Sequence, residues 1–234
     1  MFYIDSQRYF CRIFGAWFLF TLQAILAVGV QPEALSVPAI LAVIWLTYYC
    51  INCAYRTEQF SKYASLRLFT NLGIAPGFAF VALLVVLSKQ LKLGVVWSVL
   101  LSCTPLAVSL IVYVILRMRR SRCCMLVVKG VRVEGVAVAS GNPWISGALS
   151  IALGTLIYPM FNAFGSSASL LVFLFIVISF FMLFYHHASM PALRTLKGRE
   201  RSGQFKYTFM NIEEIREMRT SDWIGRFLAP NTNL

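Results

Sequence analysis

Among the 234 residues, six cysteines and two histidines offer the most obvious chemistry. Cys50-Ile51-Asn52-Cys53 has the spacing of a metal or redox pair, and Cys123-Cys124 follows after two further apolar stretches. Together they could supply the four thiolates of a tetrahedral zinc site. Adjacent cysteines rarely both ligate one such ion, however, and free cysteine packs well as a small hydrophobe. No metal or other cofactor is therefore expected. His186-His187 closes the last apolar stretch and is read as capping a helix end and meeting lipid phosphate. A serine nucleophile inside the apolar stretches would need a histidine base there, and none is present. No phosphate loop, dinucleotide fingerprint or zincin spacing occurs. An enzyme is not expected.

The elements that must position these residues are set by charge. The chain is 59% hydrophobic and 13% charged, against about 25% charged for a soluble protein. Residues 13–30, 37–55, 68–88, 93–116, 144–164 and 168–185 contain no Asp, Glu, Lys or Arg. A bilayer core of about 30 Å needs about 20 apolar helical residues, and each of these stretches is close to that length. The expectation is an all-α polytopic membrane protein with six transmembrane helices (residues 1–187), a loop at 117–143 and a basic tail at 188–234.

Basic residues set the orientation. With six spans and a cytoplasmic amino terminus, both termini are cytoplasmic, and of the 21 Lys and Arg only Lys89 and Lys92 fall on the outer side. The bias holds when only residues near the span ends are counted. The plasma or inner membrane fits this best. Ala27-Val28-Gly29 resembles a small-residue cleavage site, but the preceding apolar run exceeds the about 7–15 residues of a signal peptide, so an uncleaved anchor is expected. No cysteine falls in an outer loop, and no disulfide framework follows. The formal charge of +12 needs no nucleic acid. Orientation and attraction to anionic headgroups on the cytoplasmic face account for it, with Arg117, Arg119, Arg120 and Arg122 placed to hold lipid or an acidic partner.

Outside the spans, Met125–Val138 is rich in β-branched residues, and Lys129-Gly130 is placed to turn a hairpin. A lone hairpin is marginal in water, so it must pack on the tail, on headgroups, on another subunit or on a partner. Gly141-Asn142-Pro143 opens the fifth span with a cap and a first-turn proline. In the tail, Arg194–Gly203 reads as a linker, and Asn211-Ile212-Glu213-Glu214 opens a short amphipathic helix. A second short helix from Ser221 would present Trp223, Ile224, Phe227 and Leu228 beside Arg226. That face suits the membrane interface or a groove on a partner, with docking under the bundle as the plain alternative.

Within the spans no acid or base occurs, which argues against carboxylate-coupled transport and voltage sensing. Ser98, Ser102, Pro105 and Ser109 share one helical face. Ser146, Ser150 and Gly154 repeat every four residues, and Gly73 and Gly77 form a small pair around Pro76. Such faces let helices approach closely. Alternatively, Ser98, Ser102 and Ser109 with Gln23 line a pathway. Gln23 should find an interhelical partner, and Asn52 and Asn71 are close enough in depth to meet. Pro76, Pro105 and Pro159 each interrupt a span, where serines or neighbouring helices can satisfy the freed carbonyls.

Two functions are consistent with this pattern. One is a non-catalytic membrane subunit that binds partner proteins in a secretion, conjugation, defence or immunity, or transport assembly, or that associates with copies of itself. The other is a small-molecule or ion conduit, or a substrate-binding subunit energised by a separate partner. In span number and orientation the chain is similar to the substrate-binding subunits of energy-coupling-factor importers, although no residue motif carries that likeness.

Overall fold

The computed structural model describes residues 8–118, 126–135, 167–203 and 205–221. Helices α1 (Tyr9–Val30) and α2 (Pro32–Ile51) form an antiparallel hairpin joined by Gln31 alone. The turn is this tight because Pro32 opens α2, where the missing N–H costs nothing. The Gln31 N–H closes α1 on the Ala27 carbonyl. Across the hairpin the Trp17 indole donates to Thr47 Oγ1 at 2.8 Å. A π-helical turn, Asn52–Arg56, ends α2, and α3 (Phe60–Val85) follows, itself ending in a π-helical turn, Val86–Gln90.

Helix α3 is the hub: α1, α4, α5, α6 and α7 all pack against it. Its small residues let α1 come close. A Cβ at Gly73 would touch the Phe20 ring at 3.0 Å, and one at Gly77 would fall on the Gln23 amide. Pro76 lies inside α3 without breaking it, a correction to the expectation of an interrupted span. The next span does break. It comprises α4 (Val95–Ser102) and α5 (Thr104–Met118), parted at Cys103. Pro105 cannot donate to the Leu101 carbonyl, and Thr104 Oγ1 takes that acceptor instead at 2.8 Å.

After the hairpin strands β1 (Leu126–Lys129) and β2 (Arg132–Gly135) come α6 (Ser167–Tyr185) and α7 (Ser189–Ser202), bent by 51° at the intervening turn. Strand β3 (Thr208–Phe209) and helix α8 (Ile212–Ser221) complete the described chain. Four helical segments are long and apolar enough to cross a membrane, and five are if the bent α6–α7 pair counts as one. This is the build of an integral membrane protein. Outward rows on α2 such as Val37, Ile40, Leu41, Ile44 and Tyr48 stay exposed, as helix faces in hydrocarbon do. The stretch 144–164, with Pro159 and the Ser146–Gly154 row, lies outside the described residues.

Of residues 194–203, read from sequence as a linker, 194–202 are helical in α7 and Gly203 caps it. The cause is an apolar stripe, Met190, Leu193 and Leu196, buried against the bundle while Arg199 and Arg201 stay exposed. The hairpin forms as expected, but its turn is Gly130-Val131, with Lys129 paired to Arg132. Gly130 sits at φ +60°, which a glycine adopts without strain.

Candidate functional site

Two regions of the described chain gather polar and charged side chains around a built core: a cap at the basic end of the bundle, and a cleft just above it. The cap draws on segments far apart in sequence. Strand β2 pairs antiparallel with β1 and parallel with β3, and β3 brings Phe209 under the bundle. The Phe209 ring lies edge-on to Tyr9, Phe60 and Tyr63, with centroids 5.7–5.9 Å apart. The Phe60 N–H donates to the Tyr207 carbonyl at 2.9 Å, which ties the start of α3 to the tail. Of the expected packing surfaces for the hairpin, the tail is the one it meets.

Arg219, in the last turn of α8, is 4% exposed and makes no ion pair among the described residues. Its guanidinium reaches into the end of α2. Nε donates to the Ala54 carbonyl at 2.7 Å, and Nη2 donates to the Thr57 carbonyl at 2.8 Å and the Tyr9 hydroxyl at 3.3 Å. The Tyr9 hydroxyl in turn donates to the Cys53 carbonyl at 2.7 Å. A helix C-terminus presents unpaired carbonyls and partial negative charge, so a cation with several donors is the natural plug. Two ion pairs frame it at the surface. Arg216 donates to both oxygens of Glu58 at 2.7 and 2.8 Å, and Arg132 holds Glu213 at 2.5 Å. The Arg216 hydrogen bonds hold the Glu58 carboxyl below its usual range.

Cys50 and Cys53 are free and buried in this same core. Among the described residues no group of three His, Cys, Asp or Glu side chains is placed to hold a metal, and Cys123 and Cys124 lie outside them. His187 Nδ1 meets the Phe184 carbonyl at 2.6 Å and closes α6. His186 does not face lipid. It is buried, with Nε2 at 3.5 Å from Asn71 Nδ2. Asn71 thus turns to α6 rather than to Asn52, because α3 and α6 are the closely packed pair here. Burial, with the charge of Arg67, pushes His186 down to about 4.

The proposed pathway residues separate. Gln23 Nε2 donates to the Ile74 carbonyl at 2.8 Å, which supplies the interhelical partner expected of it. Ser98 and Ser102 are fully buried, and they donate along their own chain to Leu93 and Ser98 carbonyls at 3.2 and 2.6 Å. Only Ser109 of the set lines open space. It stands between a pocket of about 110 Å³ against Ser179 on α6 and a larger cleft of about 360 Å³.

That cleft runs between α3, α5, α6 and α7. Leu72, Pro76, Leu106, Leu110, Leu183 and Met190 form most of its wall, and Arg117, Arg194 and Lys197 stand at its basic end. Burial, reinforced by the charge of Arg117, lowers the Lys197 ammonium below its usual range. Of the arginines following α4–α5 that sequence reading singled out, Arg117 is in place here. Arg119, Arg120 and Arg122, like Trp223, Ile224, Phe227 and Leu228, lie outside the described residues. Arg194 and Lys197 were missed because their segment read as a linker. Their i+4 and i+7 spacing from Met190, which puts all three on one helix face, was the available signal. For Arg219, nothing in one sequence says which helix end it reaches.

Comparison of the chain with protein-family models, with characterised proteins and with solved structures finds no match.

Proposed function

We propose that the protein is a non-catalytic, multi-pass subunit of a plasma or inner membrane assembly, with both termini cytoplasmic, that binds a partner protein through its cap. Six spans, including 144–164, place the cap and the basic residues on the cytoplasmic side. The observation that carries the reading is the outer edge of β1. Among the described residues the sheet ends at β1, where Val127 and Val128 stand exposed, with Val131 exposed in the adjoining turn. Soluble proteins guard such edges with charge, proline or a covering element, and an extended segment of a partner can add to one as a further strand. The bidentate pairs and Arg219 hold this edge rigidly against the bundle, so it is presented rather than left to fold on contact. Trp223, Ile224, Phe227 and Leu228, together with Arg119, Arg120 and Arg122, are further candidate contacts. Secretion, conjugation, defence and transport assemblies all use subunits of this kind.

Gentle detergent extraction at native expression, followed by particle mass and protein content, tests the reading. A second protein in fixed ratio is expected. It should be lost from the Val127→Lys/Val131→Lys double variant, because a charged edge resists strand addition. A lone monomer, a pure homo-oligomer, or a partner retained by the double variant contradicts the reading.

A further inference from the structure

The cleft between α3, α5, α6 and α7 combines two properties that neither helix packing nor a protein-binding cap requires. Its walls are apolar over most of their height, with Ser65, Ser109 and Tyr113 as the only polar side chains among the described lining residues apart from three cations at one end. On α5 the lining runs from Leu106 to Arg117, a rise of about 16 Å at 1.5 Å per residue. That is close to one leaflet of a hydrocarbon core about 30 Å thick. Phe69, Leu106 and Leu110, all lining residues, are also exposed at the bundle surface, so the cleft opens sideways where lipid tails lie. Its volume, about 360 Å³, is at the lower end of the roughly 300–1,000 Å³ of small-molecule sites.

The cationic end is equally specific. Arg194 Nη1 reaches the Arg117 carbonyl at 3.4 Å, which brings the two helices' charges to one rim. Arg117 stands over the Tyr113 ring at 6.0 Å. Among the described ion pairs none uses Arg117, Arg194 or Lys197. The acid nearest in sequence, Glu200, instead accepts the Tyr207 N–H at 3.1 Å. Beyond Lys197 the rim continues into a polar bowl with Lys62, Arg201 and Lys206 around the one acid, Glu200. Among the described residues these three gathered cations make no ion pair, and the one acid that acts on them, Glu200, attracts Lys197 without bridging to it, so the rim has room for an anion.

We propose that this cleft holds one acyl chain of an anionic phospholipid from the cytoplasmic leaflet, with its phosphate seated on Arg117, Arg194 and Lys197. The proposal narrows the general attraction of the basic face for anionic headgroups, on which it rests, to a single built site.

Native mass spectrometry of the full chain tests it, using detergent micelles supplemented with phosphatidylglycerol or with phosphatidylcholine of the same chains. One phosphatidylglycerol should remain bound at collision energies that strip all phosphatidylcholine. Each cation near a lipid surface contributes enough for about a five-fold change in binding. Arg117→Ala/Arg194→Ala/Lys197→Ala should therefore lose the preference, and Lys197→Ala alone should weaken it by about five-fold. Ser109→Phe, which fills the cleft, should abolish the retained lipid while leaving the cations in place. If charge removal lowers lipid binding but Ser109→Phe does not, headgroup attraction stands and the cleft site falls. Equal retention of both lipids overturns the site and the attraction together. Competition by glycerol phosphate as strong as that by the intact lipid would show an anion site without an acyl chain and would also overturn the proposal.

Discussion

The bundle and the cap satisfy their polar groups in opposite ways. Inside the bundle, hydroxyls bond back along their own helices: Thr70 to Leu66, Ser102 to Ser98 and Ser179 to Phe175, at 2.6–2.7 Å. Helix meets helix there through glycine and serine surfaces, because hydrocarbon offers no hydrophobic drive for association and close contact must serve instead. In the cap, bonds join distant segments, Arg219 to Ala54 and Arg216 to Glu58 across more than 150 positions. There the aromatic cluster around Phe209 is removed from water, and burial supplies the drive. The lesson is that a change in the bundle is felt locally, whereas a change in the cap should release several segments at once.

The largest break should come from Phe209→Ala. Emptying a fully buried ring site among Tyr9, Phe60 and Tyr63 costs about 3–5 kcal/mol. The cap should open to protease between residues 203 and 212 while the bundle remains inserted. Arg219→Ala comes next, at about 3 kcal/mol, since several buried carbonyls lose a charged donor. Arg219→Lys should recover only part, because an ammonium cannot span the Ala54 and Thr57 carbonyls as the planar guanidinium does. Thermal unfolding in a single detergent ranks the three.

A pH test sharpens the comparison at the boundary between the regions. His186 titrates near 6.5 when unfolded and is pushed down to about 4 in the fold. Between those values the unfolded chain holds a proton that the folded chain lacks. The stability is therefore complete above pH 6.5 and falls as pH drops toward 4. Melting at pH 7 and pH 5 should show this loss, and His186→Asn should flatten it. The smallest effect should be Gln23→Leu, a loss of about 0.6–1 kcal/mol, typical of one interhelical hydrogen bond in a membrane. The change should not propagate to the cap.

Span positions were legible because charge is excluded from hydrocarbon on every face of a helix, which leaves long uncharged runs that need no knowledge of neighbours. The start of α8 was legible from Glu213 and Glu214, and the hairpin from its β-branched residues around Gly130, though the turn lay one residue further on. Helix α7 was obscured because its stripe of Met190, Leu193 and Leu196 is narrow and embedded among five charges. The cleft and the Arg219 plug were not legible at all. Both depend on which distant segments meet, and local periodicity carries no information about that. Ser98 and Ser102 show the same limit, since their shared face predicts a polar stripe but not whether a helix covers it.

Amide hydrogen exchange of the full chain in detergent micelles tests most directly whether cap and bundle form one body. The account predicts that residues 208–219 exchange as slowly as the first turns of α3, and that Arg219→Ala accelerates both together. Rapid exchange of residues 208–219 in the unaltered protein, with the start of α3 protected, would contradict it.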